Sequence, residues 1–413
     1  MSKNAMIAQS GGPTAAINAT LAGVIRGLGK SEEVGTIYGS LHGITGVLDE
    51  KFLNLSESCD KDEEFLPALT NSPAMYLGSC RVKMPDPSAE RGIYDRIFVT
   101  LQKFNVGYFF YIGGNDSMDT ITKLAKEARR RNSDIRFIGV PKTIDNDLIL
   151  TDHTPGYGSA AKYIASSMLE IAHDTYIYDL PCVTIVEIMG RDAGWLTAAA
   201  ALARNSYNET PQLIYLPEVP FHRSQFLKDV KNVLNVSKNA VVAVSEGIRD
   251  EDGVYISAKA KAEDKFGHMQ LSGVGKVLET LVKEQIGSKV RSIELSILQR
   301  CAGHAASGQD INESLEEGEA AAAYALQGKT GVMPAIRRTS DDPYTYEIVE
   351  RDLAEVANRA RSLPREWINE AGNDVTEDFL RYARPLIQGE TALTWENGLP
   401  KYLPIGHLNH KVR

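Results

Sequence analysis

Cysteine is sparse in this chain, and positive charge is in the minority. Four cysteines (Cys59, Cys80, Cys182, Cys301) stand far apart among 413 residues, with no Cys-x-x-Cys pair. That pattern excludes a disulfide framework and a Cys/His zinc cluster, and points to free thiols in a reducing compartment. Acidic residues outnumber basic ones, 54 to 45, for a formal net charge of -9. A general nucleic-acid binder carries a basic face, so nucleic acid is not an expected partner. An anionic substrate would need cations gathered locally.

Long hydrophobic runs are missing as well. No apolar stretch approaches ~18 residues, and no basic segment followed by an apolar core opens the chain, so the expectation is a cytoplasmic protein with no membrane partner. There is no Gly-x-x-x-x-Gly-Lys-[Ser/Thr] loop, no His-Arg-Asp kinase set and no His-Glu-x-x-His. A Gly-x-Gly-x-x-Gly fingerprint is absent from the first βα turn, which argues against an oxidoreductase, and Gly273-x-Gly275-Lys276 is too short to replace it. His153, His173, His268 and His304 are scattered and receive no role.

What is present is a βαβ rhythm. Length favours two to three domains, and 43% hydrophobic with 24% charged residues suits a globular enzyme. Apolar runs predict strands over 5–9, 34–38, 107–112, 136–140, 183–187, 212–216 and 240–245. Helical periodicity appears over 15–28, 118–131, 159–171, 195–203 and 313–326, with Lys123, Lys126 and Arg129 on the solvent side of the second. The stretch 48–95 is polar with weak periodicity, and 348–361 reads as a charged helical tail. The expected fold is α/β: two Rossmann-like three-layer lobes with mostly parallel sheets and a cleft between them.

The chemistry concentrates at strand ends. Pro141-Lys142-Thr143-Ile144-Asp145-Asn146-Asp147 follows the strand at 136–140, at the carboxyl edge where open α/β sheets place ligands. Two aspartates one residue apart can hold a divalent ion and accept a proton, and the lysine can neutralise an anion. The plainer reading of an Asp-x-Asp is a cap or turn. Two further small-residue turns, Ser10-Gly11-Gly12 and Gly113-Gly114-Asn115-Asp116-Ser117, also end strands of the first lobe. Glycines there let backbone approach a ligand, with tight turns as the alternative. In the second lobe Met189-Gly190-Arg191 joins a strand to a helix, where the arginine can reach an oxyanion or form a surface ion pair. Arg291 and Arg300 could together form a forked phosphate receptor, and Glu246 could accept from sugar hydroxyls or cap a helix.

Together these residues resemble the phosphofructokinase family, over most of the chain from Ser10 to Arg300. Asn115-Asp116-Ser117 is similar to the family's phosphate-donor loop, Thr143 to Asp147 to its catalytic loop, and Met189-Gly190-Arg191 to its sugar-phosphate loop. Asp116 and Lys142 stand where ATP-using members carry glycine, as in pyrophosphate-dependent members. An aspartate side chain fills and repels the space of a nucleotide's α-phosphate, while a lysine favours compact pyrophosphate.

The resemblance implies reversible transfer from pyrophosphate to the C1 hydroxyl of fructose 6-phosphate. It implies Mg2+ as cofactor, held by Asp116, Asn115 and Asp147, with Asp145 as general base assisted by Lys142 and Thr143. Gly11, Gly12, Arg81, Gly114, Asp116, Ser117 and Lys142 would hold pyrophosphate. Thr143, Asp145, Asp147, Met189, Gly190, Arg191, Glu246, Arg291 and Arg300 would hold the sugar phosphate. It divides the chain into a donor lobe, 1–157 with a return at about 300–345, a sugar-phosphate lobe, 158–299, and a helical tail, 346–413. A homodimer or homotetramer is implied as well.

Three departures bear on this. Asn115 replaces an aspartate, Ile297 a histidine, and Cys182 an arginine that reaches into a neighbouring subunit. An ATP-dependent enzyme, or one preferring another phosphosugar such as sedoheptulose 7-phosphate, is the alternative. A non-enzymatic sugar- or nucleotide-binding module is a further one. Ala22 stands where allosteric bacterial members carry an arginine, which implies no regulation by ADP or phosphoenolpyruvate there.

Overall fold

Apolar runs with residues buried on both faces become central parallel strands. The computed structural model describes residues 2–177, 179–257 and 273–406. Its strands are β1 (Lys3–Gln9), β2 (Val34–Ser40), β3 (Phe52–Asn54), β4 (Val106–Gly113), β5 (Arg136–Pro141), β6 (Cys182–Ile188), β7 (Leu213–Tyr215), β8 (Asn239–Ser245), β9 (Lys289–Glu294), β10 (Val332–Asp341) and β11 (Tyr344–Asp352), followed by a short terminal hairpin. The larger sheet has seven strands in the order β11-β10-β5-β4-β1-β2-β3, and the smaller has four in the order β7-β8-β6-β9. Within these sheets every pairing is parallel except β2 with β3 and β10 with β11.

Side-chain alternation divides each sheet between two cores. Ala5, Ile7, Phe110 and Ile112 pack with Ile17 and Leu21 on one face of the larger sheet. Met6, Ala8, Phe109 and Tyr111 pack with Ile97, Met118 and Ile121 on the other. Val186, Ile188, Val241 and Ala243 of the smaller sheet join the core shared with Trp195, Phe379 and Tyr382, while Val183, Ile185, Val242 and Val244 face Phe226 and Leu278. The fold is α/β in two lobes with mostly parallel sheets, as expected.

The smaller lobe is inserted between β5 and β10. The chain leaves β5, passes the Lys142–Asp147 segment, enters the helix Tyr157–Tyr176 and returns through the helix Gly308–Leu326 to β10. The strand ends at Gln9, Gly113 and Pro141 belong to the neighbouring strands β1, β4 and β5, so the three polar turns lie side by side. The chain turns one way after β1, to β2, and the other way after β4, to β5, so a topological switch point lies between them. In the smaller sheet the carboxyl ends of β8, β6 and β9 lead into Glu246, Met189-Gly190-Arg191 and the Arg300 segment.

The structure corrects the sequence reading in several places. Residues 348–361 do not form one continuous helix: β11 covers Tyr344–Asp352 and pairs antiparallel with β10, with Ala335 opposite Val349, and only the single turn Leu353–Val356 is helical. The charges of Glu350 and Arg351 suggested a helix, but Tyr344, Tyr346 and Ile348 alternate at period two and are strand formers. The chain beyond 352 is mostly short helical turns rather than a helical tail. It packs Leu363, Phe379 and Leu386 against the smaller lobe and returns to the larger one, where Leu403 N–H donates to Ser72 Oγ at 2.6 Å. The helix expected at 118–131 starts earlier, as Asn115–Arg130. Lys123 is not a solvent-side lysine, since its amine donates to Met84 O at 2.9 Å and to Asp119 Oδ2 at 2.6 Å. Ala22 is buried in the core of the helix Ile17–Leu28. His268 lies outside the described residues. Among the described residues no helix is long and apolar enough to cross a membrane.

Candidate active site

The donor side is built from strand ends and one helix start. Because the helix Asn115–Arg130 begins at Asn115, Asn115-Asp116-Ser117 forms its first turn: Ser117 N–H donates to Gly114 O at 3.0 Å, while the N–H groups of Asn115 and Asp116 have no intrahelical acceptor. Those groups and the helix dipole favour negative charge at this end. Gly114 occupies the cap position and lacks a capping side chain. Ser117 Oγ lies 2.5 Å from Ser10 Oγ, tying two turns together, and a Cβ on Gly113 would come within 2.0 Å of that Ser117 oxygen. Only glycine fits. On the other flank Ser79 Oγ donates to Gly11 O at 2.7 Å, and Gly11 N–H to Cys80 O at 3.4 Å, which sets Arg81 beside the Gly11-Gly12 turn.

Lys142 points back across these turns. Its side chain is buried, and Nζ donates to Gly12 O at 2.5 Å. Burial is the largest effect on its amine and holds it down at about 7, with Arg300 and Arg81 adding to the depression while Asp145 and Asp147 oppose it. The neighbouring acids are displaced the other way. Asp145 and Asp147 are partly open to the cleft, yet the surrounding protein raises both carboxyls, Asp147 to about 7 with the Asp145 charge adding to the rise. Arg300, Arg191 and Lys142 all act to lower Asp145. Residues from both lobes therefore converge electrostatically on one carboxylate.

Asn146, between the two aspartates, is fully buried at φ +53°. Its Oδ1 accepts from Thr154 N–H at 3.0 Å, and its Nδ2 donates to Tyr382 Oη at 2.9 Å. Thr143 Oγ1 accepts from Asp145 N–H at 3.1 Å. The segment 358–361 closes over this loop from the carboxyl-terminal part of the chain. Asn115 Nδ2 donates to Arg359 O at 2.9 Å, and Arg361 N–H to Asp147 O at 2.8 Å.

On the sugar-lobe side, Gly190 sits at φ +133°, a conformation favouring glycine, and its N–H donates to Glu246 Oε1 at 3.3 Å. Burial raises the Glu246 carboxyl to about 7, with Asp145 and Glu187 contributing and Arg191 opposing. Met189 N–H donates to Gln299 Oε1 at 3.3 Å, joining the Met189-Gly190-Arg191 turn to the residue before Arg300. Arg191 Nε contacts Asp192 Oδ2 at 3.2 Å. Gly273 and Gly275 serve the lobe's framework: their N–H groups donate to the buried Glu187 carboxylate at 3.1 and 2.8 Å.

Most of the expected residues are thus brought together, with one exception. Arg291 does not join Arg300 in a fork. It lies in mid-strand on the edge strand β9, opposite Thr184, and pairs with Asp174 Oδ2 at 2.8 Å. The cleft is four residues farther along β6, roughly 13 Å at about 3.3 Å per residue. Sequence reasoning missed Gln299, Asn146, Tyr382 and Arg361. Gln299 was detectable as Arg300's neighbour, whereas nothing local marks Arg361 or Tyr382.

Among the described residues no three His, Cys, Asp or Glu side chains form a ready metal cluster. The site does offer oxygen to a hard cation. Asn115 Oδ1 is buried without a hydrogen-bond partner, and the Asn115 side chain acts to lower the Asp147 carboxyl. Asp116 follows on the same helical turn. An orphaned carbonyl oxygen beside carboxylates fits a divalent cation of the magnesium type.

A two-lobed α/β fold with a buried lysine, a half-buried carboxylate pair and a helix start at neighbouring strand ends is that of a phosphotransferase cleft. The family model for phosphofructokinase matches residues 4–324, and the chain belongs to that family. It is 41% identical over 412 residues, 99% of this chain and 97% of the relative, to pyrophosphate–fructose 6-phosphate 1-phosphotransferase of Halomonas elongata. It is 42% identical to the enzyme of the same name from Xanthomonas campestris, over 97% of this chain and 96% of that one. Among solved structures, the pyrophosphate-dependent phosphofructokinase of Nitrosospira multiformis superposes with a TM-score of 0.88 at 37% identity, covering 98% of this chain and 96% of that chain.

Proposed function

We propose that this protein transfers a phosphoryl group reversibly from inorganic pyrophosphate to the C1 hydroxyl of fructose 6-phosphate. The observation that carries the donor assignment is the pair Asp116 and Lys142. Asp116 stands in the first turn of the donor-loop helix, and the buried Lys142 amine lies against Gly12. A carboxylate there repels and blocks an α-phosphate, and an enclosed ammonium favours a compact polyanion.

Asp145 takes the proton of the C1 hydroxyl as general base, since its carboxyl lies under cations of both lobes and burial raises it above an ordinary carboxylate, making it a better proton acceptor. The hydroxyl oxygen forms the new P–O bond, the bridging P–O bond of pyrophosphate breaks, and phosphate leaves. Gly11, Gly12, Arg81, Gly114, Ser117 and Lys142 hold the donor, and Thr143 lies with the sugar-phosphate set. Met189, Gly190, Arg191, Glu246 and Arg300 hold the sugar phosphate. Asp116, Asn115 and Asp147 would hold Mg2+, which neutralises the donor's phosphate charge when bound.

The assembly proposed is a homodimer or homotetramer in the cytoplasm. Arg291 acts on Cys182 at the start of β6, away from its own cleft, and the exposed Ile177 and Leu180 precede that strand. A second copy packed there would bring Arg291 to a neighbour's sugar phosphate. The test of the whole reading is an assay of purified protein with magnesium and fructose 6-phosphate, given pyrophosphate or ATP. Turnover with pyrophosphate at far higher kcat/KM is expected, and equal or better use of ATP would reject the donor.

A further inference from the structure

The loop that carries both aspartates is held from a segment more than two hundred residues away. In consecutive positions, Asn358 Nδ2 donates to Asp119 Oδ1 at 2.9 Å, Arg359 O accepts from Asn115 Nδ2, Ala360 bridges Leu148 antiparallel, and Arg361 N–H donates to Asp147 O. One strap thus grips the donor-loop helix at its front and the catalytic loop at its back.

Arg361 makes the densest contacts. Its Nε and Nη2 donate to Asn146 O at 3.3 and 3.2 Å, Nη2 also to Asn146 Oδ1 at 3.1 Å, and Nη1 to Thr151 O at 3.1 Å. The guanidinium lies 4.6 Å from the ring of Trp195, whose Nε1–H donates to Arg361 O at 3.2 Å. Trp195 starts the short helix that follows Arg191-Asp192-Ala193-Gly194, so the same arginine is backed by the sugar lobe. A non-glycine residue at positive φ persists only where its surroundings hold it. Asn146 is such a residue, and the direction the chain takes through it decides where Asp145 and Asp147 point.

We propose that Arg361 is a positioning residue for the phosphoryl-transfer step, fixing the Asn146 turn so that Asp145 and Asp147 face one reaction centre. This rests on the roles given to those aspartates under the proposed function. The plain alternative is that Arg361 only stabilises the fold. A planar fork spanning three acceptors cannot be replaced by a lysine.

The experiment uses the full chain with magnesium pyrophosphate and fructose 6-phosphate. In Arg361→Ala, kcat is expected to fall about 100-fold, the scale of a small misplacement of reacting groups, with both KM values nearly unchanged. Added guanidinium should restore part of the lost kcat. A kcat within about twofold of the parent in folded Arg361→Ala overturns the proposal, as does a loss that guanidinium leaves untouched. Arg381→Gln, at an exposed arginine paired with Asp378, should keep the parent kcat. If Arg361→Ala does not fold, Arg361→Lys replaces it: it keeps the charge but cannot span Asn146 O, Asn146 Oδ1 and Thr151 O, and an unchanged kcat there overturns the proposal equally. Asp145→Asn is assayed alongside. Retained turnover in that variant rejects the base assignment, whereas its loss beside a fully active Arg361→Ala rejects the positioning role alone.

Discussion

The Nζ atom of Lys142 lies 2.5 Å from the carbonyl oxygen of Gly12, so a side chain at the end of β5 is held by the turn that ends β1. The contact spans β4, the strand between them. It aims the amine over all three turns and keeps it out of water, where its charge is costly until an anion arrives.

That cost should be visible as a proton. Burial holds the free amine at about 7, so at about pH 8 it is mostly neutral. A bound polyanion raises it, and the protein should then take up a proton when pyrophosphate binds. Calorimetry in buffers of different ionisation enthalpy measures this uptake. Lys142→Arg, already charged, should show less; equal uptake in both would place the proton elsewhere.

Removing the proposed base should cost turnover rather than binding. Asp145→Asn is expected to lower kcat by about 10²- to 10⁴-fold with modest changes in KM. In the parent, burial raises the Asp145 carboxyl and holds Asp147 at about 7. As pH falls through about 7 Asp147 gains a proton, and the raised Asp145 carboxyl adds to the loss, so kcat/KM should decline on that side. A profile flat down to pH values well below this would remove both groups from the acid limb.

Donor choice should yield to small side chains. Asp116→Gly combined with Lys142→Gly clears the space and charge that oppose a nucleotide, and ATP-dependent turnover should become measurable while pyrophosphate use drops. No gain with ATP would show that other contacts exclude it.

His153 offers a stability test away from the chemistry. It is buried, with Nδ1 2.8 Å from Asp152 and Nε2 2.7 Å from Glu313. Burial alone would lower its imidazolium, but Glu313 and Asp152 more than offset that and hold it up to about 10. The folded value is raised above the usual 6.5, so its contribution is complete below about 6.5 and is lost as pH rises through about 10. His153→Gln should destabilise by about 3–5 kcal/mol near neutral pH, with the gap in melting temperature narrowing toward pH 10. A gap independent of pH would mean the imidazolium is not the stabilising species.

Legibility followed the range of the signal. Buried strands such as β4 and β5 announce themselves because their apolar runs are local, and the polar turns after them are adjacent in sequence. Asp145, Asp147, Lys142 and Asp116 were readable for that reason. Arg361 was not, because its acceptors at Asn146 and Thr151 are supplied by another part of the chain. Glu350 and Arg351 misled in the same way. Their charges suit an exposed helix, and only the pairing of β11 with β10 shows that the alternation of Tyr344, Tyr346 and Ile348 decides the matter. Arg291 carried the right chemistry for a phosphate but belongs to an edge strand, and strand order is a property of the folded sheet.

The insertion of the smaller lobe between β5 and β10 sets the order in which the molecule can be finished. As the chain emerges from a ribosome, β1 to β5 are available first, and the flank of β5 stays open until β10 arrives, after the whole smaller lobe has been made. An unpaired strand edge attracts other chains. Ribosome-bound chains that end between residues 142 and 331 should therefore be the most prone to aggregate and the most dependent on chaperones.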